Sequence, residues 1–192
     1  MKNDSVKKIT GIAILIAVEI IFQVIGNLIT FPAGVSINLS LIPVALGAIL
    51  FGPLAGAAIG LINGVLVLFA PSTQAIFFTY APVGTIITCL SKCTIAGLIS
   101  GFLFKAIEKK NFLVAAIVAS IIVPVLNTGI FTLCALTIIQ KAIVNLKGDN
   151  NNIFGYVILI VITWNFLLEF LITTVLSPTI AKITKIVTKE KE

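Results

Sequence analysis

Charged residues are scarce in this chain, and arginine and histidine are missing altogether. Charged side chains make up 10% of the 192 residues, hydrophobic ones make up 59%, and the mean hydropathy is +1.20. Soluble domains carry far more charge than this. Between Ile9 and Phe104 only Glu19 and Lys92 are charged. The composition therefore excludes a soluble domain and predicts a single polytopic membrane domain over residues 1–192.

The absence of arginine also argues against a nucleic-acid partner. Proteins usually bind phosphate groups through the guanidinium group of arginine, which can donate two parallel hydrogen bonds. The net charge of +6 comes from 13 lysines, which lie mainly in short polar segments between apolar runs. Lysines placed in this way mark the cytoplasmic side of a membrane protein. The net charge is therefore a topology signal, and we expect no nucleic-acid partner.

Catalytic and metal-binding motifs are missing as well. The chain has no HExxH motif, no GxSxG motif and no GxxxxGK[ST] loop for ATP. Its three cysteines, Cys89, Cys93 and Cys134, lie in apolar segments, where packing is the ordinary role of a cysteine. We therefore expect no enzyme activity, no metal site, no cofactor and no ATP hydrolysis by this chain alone.

Six apolar segments separated by short loops predict membrane helices, with bounds at 9–30, 41–51, 53–69, 80–107, 112–143 and 153–181. The second is too short to cross a bilayer core of about 30 Å upright. Ten of the 13 lysines precede the first segment, lie at or just after the end of the fourth, or follow the last. The predicted fold class is an all-α integral membrane protein, a six-helix transmembrane bundle with short loops and both termini cytoplasmic.

Irregular segments are expected at three places. The uncharged stretches 31–40 and 70–79 are predicted to be external loops, and the alternation from Val35 to Ser40 indicates an extended segment that folds back as a lid. In the fifth predicted helix, Pro124 followed by Asn127-Thr128-Gly129 predicts a kink or local unwinding.

A stripe of glycines marks the third predicted helix. Gly56, Gly60 and Gly64 are four residues apart, so they share one face on which another helix backbone can approach closely. Gly52-Pro53, just before this helix, predicts a sharp turn. A similar pair of small residues, Ala13 and Ala17, lies in the first predicted helix.

Polar side chains inside the apolar segments are costly in a bilayer, so they are candidates for ligand contacts. Amides, hydroxyls and aromatic rings on the last three predicted helices would together line a pocket for a polar small molecule. The predicted ligand-binding residues there are Thr88, Lys92, Asn127, Phe131, Trp164, Asn165 and Glu169. Asn38, Gln74 and Tyr80 are predicted to close the pocket from the external side.

Structural roles are alternatives for several of these residues. Lys92 and Glu169 pair either with each other or with the ligand, because an unpaired charge in the bilayer is expensive. Trp164 either packs or forms a stacking wall for a ligand ring. Asn127 is expected to face the ligand, since it lies beside the proline at 124.

Three stretches together resemble a known family: FGPLAGAAIG, SKCTIAGLISGFLFKAIEKK and NFLLEFLITTVLSP. The whole chain is similar to the substrate-binding S component of energy-coupling factor (ECF) vitamin transporters, in the branch that contains pantothenate and riboflavin proteins. The resemblance implies an outward-facing vitamin site made by helices four to six and the external loops. It also implies a transmembrane coupling subunit and two cytosolic ATPase subunits as partners, in the plasma membrane of a prokaryote.

The resemblance also assigns residues. Family members contact the coupling subunit through an AxxxA-like motif on the first helix, which Ala13 and Ala17 match, and Gly56 and Gly60 are expected to extend that contact. Lys92 suits the carboxylate of pantothenate, which is the leading ligand, and riboflavin or a cationic precursor comes next. The alternative function is an autonomous ion-coupled carrier, and a membrane enzyme is a third hypothesis that the missing catalytic groups disfavour.

Overall fold

The computed structural model describes residues 2–28, 39–147 and 163–189, with side chains for 5–28, 39–145 and 166–182. The described residues are helical and include no strand. In chain order the elements are α1 (Lys2–Leu28), α2 (Leu41–Phe51), α3 (Pro53–Leu68), α4 (Pro71–Thr73), a π-helix (Gln74–Phe78), α5 (Pro82–Ile107), α6 (Phe112–Leu136), α7 (Gln140–Lys147) and α8 (Thr163–Lys189).

The short helix α2 lies in the middle of the bundle. It has the bounds predicted for the second segment, and residues 41–49 are all buried. It contacts α1, α3, α5, α6 and α8. A helix too short to cross a bilayer upright is thus surrounded by protein, so its ends need not reach both membrane surfaces.

The predicted turn between α2 and α3 is present at Gly52. This residue has a φ of +94°, a left-handed value that glycine adopts without a steric penalty. Pro53 occupies the first turn of α3, where its missing N–H is not needed. The two helices therefore follow one another directly through a single non-helical residue.

The glycine stripe of α3 packs against α5 in an antiparallel arrangement. A Cβ atom built on Gly56 would lie 2.6 Å from the carbonyl oxygen of Gly97, and one on Gly60 would overlap the carbonyl of Cys93. Gly64 faces Cys89 in the same way. Only residues without a side chain allow two helix backbones to approach so closely. The stripe is therefore an intramolecular seam.

Two predicted irregular segments are helical in the structure. Residues 71–78, expected as an external loop, continue α3 after a bend of 62° at residues 69–70. The other is α6, which stays helical through Pro124 and the three residues at 127–129, so no unwinding occurs there. The chain breaks later, at residues 137–139, and α7 follows. The prediction of one helix over 112–143 was wrong in this respect.

Within the described residues, three helices are long and apolar enough to cross a membrane: Ser5–Leu28, Pro82–Ile107 and Phe112–Leu136. The bent pair Pro53–Leu68 and Pro71–Phe78 would make a fourth if it counts as one span. The count of six spans and the cytoplasmic termini therefore stay predictions. The predicted lid over residues 31–38 and the start of the last predicted helix lie outside the described residues.

Candidate functional site

A buried lysine marks the interior face shared by α5 and α6. Lys92 is 9% exposed, and its Nζ lies 5.5 Å from the centre of the Phe131 ring. Phe131 in turn meets Phe77 of the π-helix edge to face, with ring centroids 5.6 Å apart. An ammonium over an aromatic face is attracted by the ring quadrupole, and more strongly where water is excluded. The Phe131 ring is therefore placed to stabilise a positive charge on Lys92 inside the bundle.

Glu169 on α8 belongs to the same interior region. Its side chain is 2% exposed, and its negative charge acts electrostatically on the Lys92 ammonium. The helices α5, α6 and α8 thus contribute a cation, an aromatic ring and an anion to one interior region. These groups belong to Lys92, Phe131 and Glu169, which were all predicted site residues. This arrangement can bind a small molecule with charged or strongly polar groups.

A chain of side-chain hydrogen bonds crosses the bundle next to this region. It begins on α1, where Gln23 Nε2 donates to Asn27 Oδ1 over 3.0 Å, and continues with Ser40 Oγ donating to Gln23 Oε1 over 3.0 Å. Asn63 Nδ2 on α3 donates to Ser40 Oγ. Ser40 and Asn63 are both fully buried. The chain therefore links α1 to α3 through groups that water does not reach.

The Cys93 thiol joins this hydrogen-bonded chain to α6. Its Sγ lies 3.0 Å from Oδ1 of Asn63 and 3.2 Å from Oδ1 of Asn127, so the two amide oxygens share one thiol proton. Asn127 is 4% exposed. Its amide oxygen therefore has a partner within the chain, and the contact of this residue with a ligand stays a prediction.

Gln23 and Asn27, the residues of the hydrogen-bonded chain on α1, were not among the predicted site residues. A signal for them exists in the sequence, because Glu19, Gln23 and Asn27 are spaced four residues apart and so share one face of α1. Asn63 is a further amide in an apolar helix. Polar residues at helical spacing inside a membrane helix indicate an inward face.

Two predicted site residues bond to backbone carbonyls. Thr88 is 1% exposed, and its Oγ1 donates to the carbonyl of Gly84 over 2.7 Å. Gln74 Nε2 donates to the carbonyl of Leu68 over 2.6 Å, which ties the π-helix to the end of α3. These bonds give both side chains a structural role in the fold.

Tyr80 lies at a surface cleft of about 350 Å³. The cleft lies between the start of α5 and the break that separates α6 from α7, and it is lined by Tyr80, Ala81, Pro82, Val83, Gly84, Thr137, Ile138, Gln140 and Lys141. Its polar groups are a phenol, a hydroxyl, an amide and an ammonium. Such a combination suits a polar, negatively charged small molecule.

Three predicted site residues cannot be placed by their side chains. Asn38 lies outside the described residues, and Trp164 and Asn165 lie in α8 at positions whose side chains are outside the described set. The neighbouring residue Phe166 packs on Phe170 with ring centroids 5.5 Å apart.

The expected docking residues separate into two groups. Ala13 and Ala17 are exposed on α1, as a docking surface requires. Gly56 and Gly60 are buried against α5, so their assignment to a docking surface is corrected here. The small residues of α3 are needed for close packing inside the chain.

No curated protein and no solved structure matches this sequence. A family profile does match it over residues 7–181, and that family is described as "ECF transporter, substrate-specific component". The match includes most of α1 and α8 and all of the chain between them, and it agrees with the resemblance seen in the sequence. The chain therefore belongs to the family of substrate-specific components of ECF transporters.

Proposed function

We propose that this protein is the high-affinity subunit that captures a water-soluble vitamin, or a vitamin precursor, outside a prokaryotic cell. Import is then driven by ATP through a transmembrane coupling subunit and two cytosolic ATPase subunits. The chain itself carries no ATP-binding loop, so the energy must come from partners. One observation carries the proposal: the buried Lys92 ammonium, which lies over Phe131 and within the field of Glu169.

A lysine in the middle of a membrane helix costs roughly 2.5–3.5 kcal/mol on insertion scales, so a function is its usual reason. The Phe131 face offsets only part of such a cost, because a cation–π contact supplies about 0.5–2 kcal/mol. An anionic group on the ligand would supply the rest. Pantothenate carries one carboxylate and is therefore the leading ligand, in line with the pantothenate- and riboflavin-like branch. Riboflavin comes next, or a cationic precursor that would use Glu169.

The cleft beside Tyr80 is the proposed entrance to this site. Lys141 gives the cleft a positive charge, which attracts an anionic vitamin. Ala81 lines the cleft and also packs on an apolar cluster that includes Phe77 and Phe131. Because Phe131 touches both this cluster and Lys92, we expect a ligand to pass the aromatic pair on its way from the cleft to the cation.

The exposed side of α1 is the proposed contact with the coupling subunit. Ala13 and Ala17 are exposed there, and Ile14 and Ile21 beside them are 59% and 56% exposed. Small residues flanked by larger apolar ones allow close helix packing in a membrane. This surface lies on the opposite side of α1 from the buried residues Glu19 and Gln23.

The decisive experiment is to purify the protein, denature it and identify any small molecule that is released. Pantothenate binding is then measured by isothermal titration calorimetry, for which we expect a Kd below 1 µM, on the order of −8 kcal/mol or better. Lys92→Gln should weaken binding at least about tenfold. Lys109→Gln, at an exposed turn residue, is the matched control and should bind normally. A protein that is empty and binds neither pantothenate nor riboflavin contradicts the proposal.

The opposite charges of Lys92 on α5 and Glu169 on α8 also fit a second function, an autonomous ion-coupled carrier. Such a carrier would take up its substrate alone, in proteoliposomes without ATP, when a proton or sodium gradient is imposed. Uptake under those conditions would favour this second function, and uptake that requires the ATPase partners favours the first.

A further inference from the structure

The carboxyl group of Glu19 lies inside the bundle, beside the side-chain amide of Asn63. Its side chain is 0% exposed, and neither carboxylate oxygen has a hydrogen-bond partner among the described residues. A buried carboxylate without a donor is strongly unfavourable in an apolar medium. The described neighbours of Glu19 therefore compensate only weakly for its burial.

The polar groups around Glu19 direct their donors to one another. Asn63 lies beside Glu19, yet its Nδ2 donates to Ser40. Gln23, one helical turn away on the same face of α1, donates to Asn27, and the Ser40 hydroxyl donates to Gln23. Asn63 thus acts on the Glu19 carboxyl group without a hydrogen bond of ordinary geometry, and both carboxyl oxygens keep acceptor capacity.

Glu19 is also close to the region around Lys92. Its charge acts on the thiol of Cys93, which is the next residue after Lys92 on α5. The charge of Glu169 acts on the same thiol, from α8. Asn63, which lies beside Glu19, also accepts from the Cys93 thiol over 3.0 Å, so the Glu19 carboxyl group and the Lys92 ammonium belong to one interior region.

We propose that Glu19 is a ligand-binding residue, whose carboxylate accepts hydrogen bonds from O–H or N–H groups of the transported molecule. This inference rests on the proposed function and extends it. The ligand then has an acidic group at one end, bound by Lys92, and hydroxyl or amino donors at the other end, bound by Glu19. Pantothenate has this form, because its carboxylate and its two hydroxyls lie at opposite ends.

The test compares the wild type with Glu19→Gln, which keeps the shape of the side chain and removes its negative charge. Glu108→Gln is the matched control, because Glu108 is an exposed residue of the turn after α5. Pantothenate and an analogue lacking both hydroxyls are the two probes, titrated calorimetrically into the purified full-length protein. The melting temperature of each variant is also measured without any probe.

We expect Glu19→Gln to weaken pantothenate binding at least about tenfold, as for the loss of a charged hydrogen-bond acceptor. The analogue should bind the wild type and the variant equally, because it has no donors for residue 19. Without a probe, the melting temperature of the variant should equal or exceed that of the wild type. The control should match the wild type in every measurement.

Three results would overturn the inference: unchanged pantothenate affinity in Glu19→Gln, an equal loss for the analogue, or a lower melting temperature without a probe. A lower melting temperature would show that the Glu19 carboxylate stabilises the fold itself. Failure of the proposed function looks different, because the wild type would then bind neither pantothenate nor riboflavin. In that event the probe-free melting temperature still decides whether Glu19 supports the fold.

Discussion

The Nζ atom of Lys92 lies 5.5 Å from the centre of the Phe131 ring, in the interior between α5 and α6. The ring is itself held by an edge contact with Phe77, at an interplanar angle of 86°. The position of the cation thus depends on an aromatic pair that also borders the apolar cluster beside the surface cleft. Four predictions follow from this contact and from the packing around it.

Phe131→Leu removes the aromatic face beneath Lys92 while keeping an apolar side chain. We expect pantothenate binding to weaken about two- to tenfold, since a cation–π contact contributes about 0.5–2 kcal/mol. Calorimetric titration measures the change. Phe112→Leu is the control, because Phe112 makes a similar edge contact with Phe104 at the opposite end of α6 from Phe131. An equal loss of affinity in both variants would contradict the assignment.

Gly60→Ala places a methyl group against the Cys93 carbonyl of α5. Because two backbones must then separate, we expect a loss of about 1–3 kcal/mol and a clearly lower melting temperature. Gly129→Ala is the matched substitution on α6, where a Cβ would meet no atom within 4 Å. It should be neutral or stabilising by up to about 1 kcal/mol, because alanine favours a helix. Equal effects would show that the seam is misplaced.

Ser40→Ala and Asn63→Ala each break the hydrogen-bonded chain between α1 and α3. Each should cost about 1–3 kcal/mol, because a buried polar group loses its partner. The double variant should lose less than the sum of the two, with a coupling of about 0.5–3 kcal/mol. Thr179→Ala, at an exposed hydroxyl bonded within its own helix, is the control. Strict additivity would contradict a direct bond.

Ala13→Leu and Ala17→Leu add bulk to the exposed side of α1. We expect normal melting temperatures and normal pantothenate affinity, together with loss of co-purification with the coupling subunit and loss of ATP-dependent uptake. Ala58→Leu makes the same change at an exposed position of α3 and should leave uptake intact. Normal uptake in both α1 variants would place the docking surface elsewhere.

Helix α1 shows how much of the candidate site the sequence contained. The spacing of Glu19, Gln23 and Asn27 indicates one polar face, and the structure buries that face, at least at Glu19 and Gln23. The spacing does not predict which residues these side chains contact. Ser40 donates to Gln23 from a turn that follows later in the chain, and Asn63 donates to Ser40 from α3. Side-chain spacing within α1 carries no information about either residue.

The break at residues 137–139 is a second case. The sequence there, Thr-Ile-Ile, contains neither glycine nor proline and predicts a continuous helix. In the structure Ile139 is buried with Ala135 and Ile143 in one apolar cluster, against Phe77. The packing of this cluster depends on residues that are far away in the chain. It coincides with the end of α6, which local helix propensity does not predict.

By itself the sequence determined the all-helical membrane character, the turn at Gly52-Pro53 and the positions of polar groups within apolar helices, because these follow from composition and local backbone chemistry. Only the tertiary structure decided which segment packs against each helix face. The glycine stripe indicated that a helix must approach closely, and the structure shows that this helix is α5. Periodicity defines which side of a helix is turned inward, whereas the partner is chosen by packing between segments far apart in the chain.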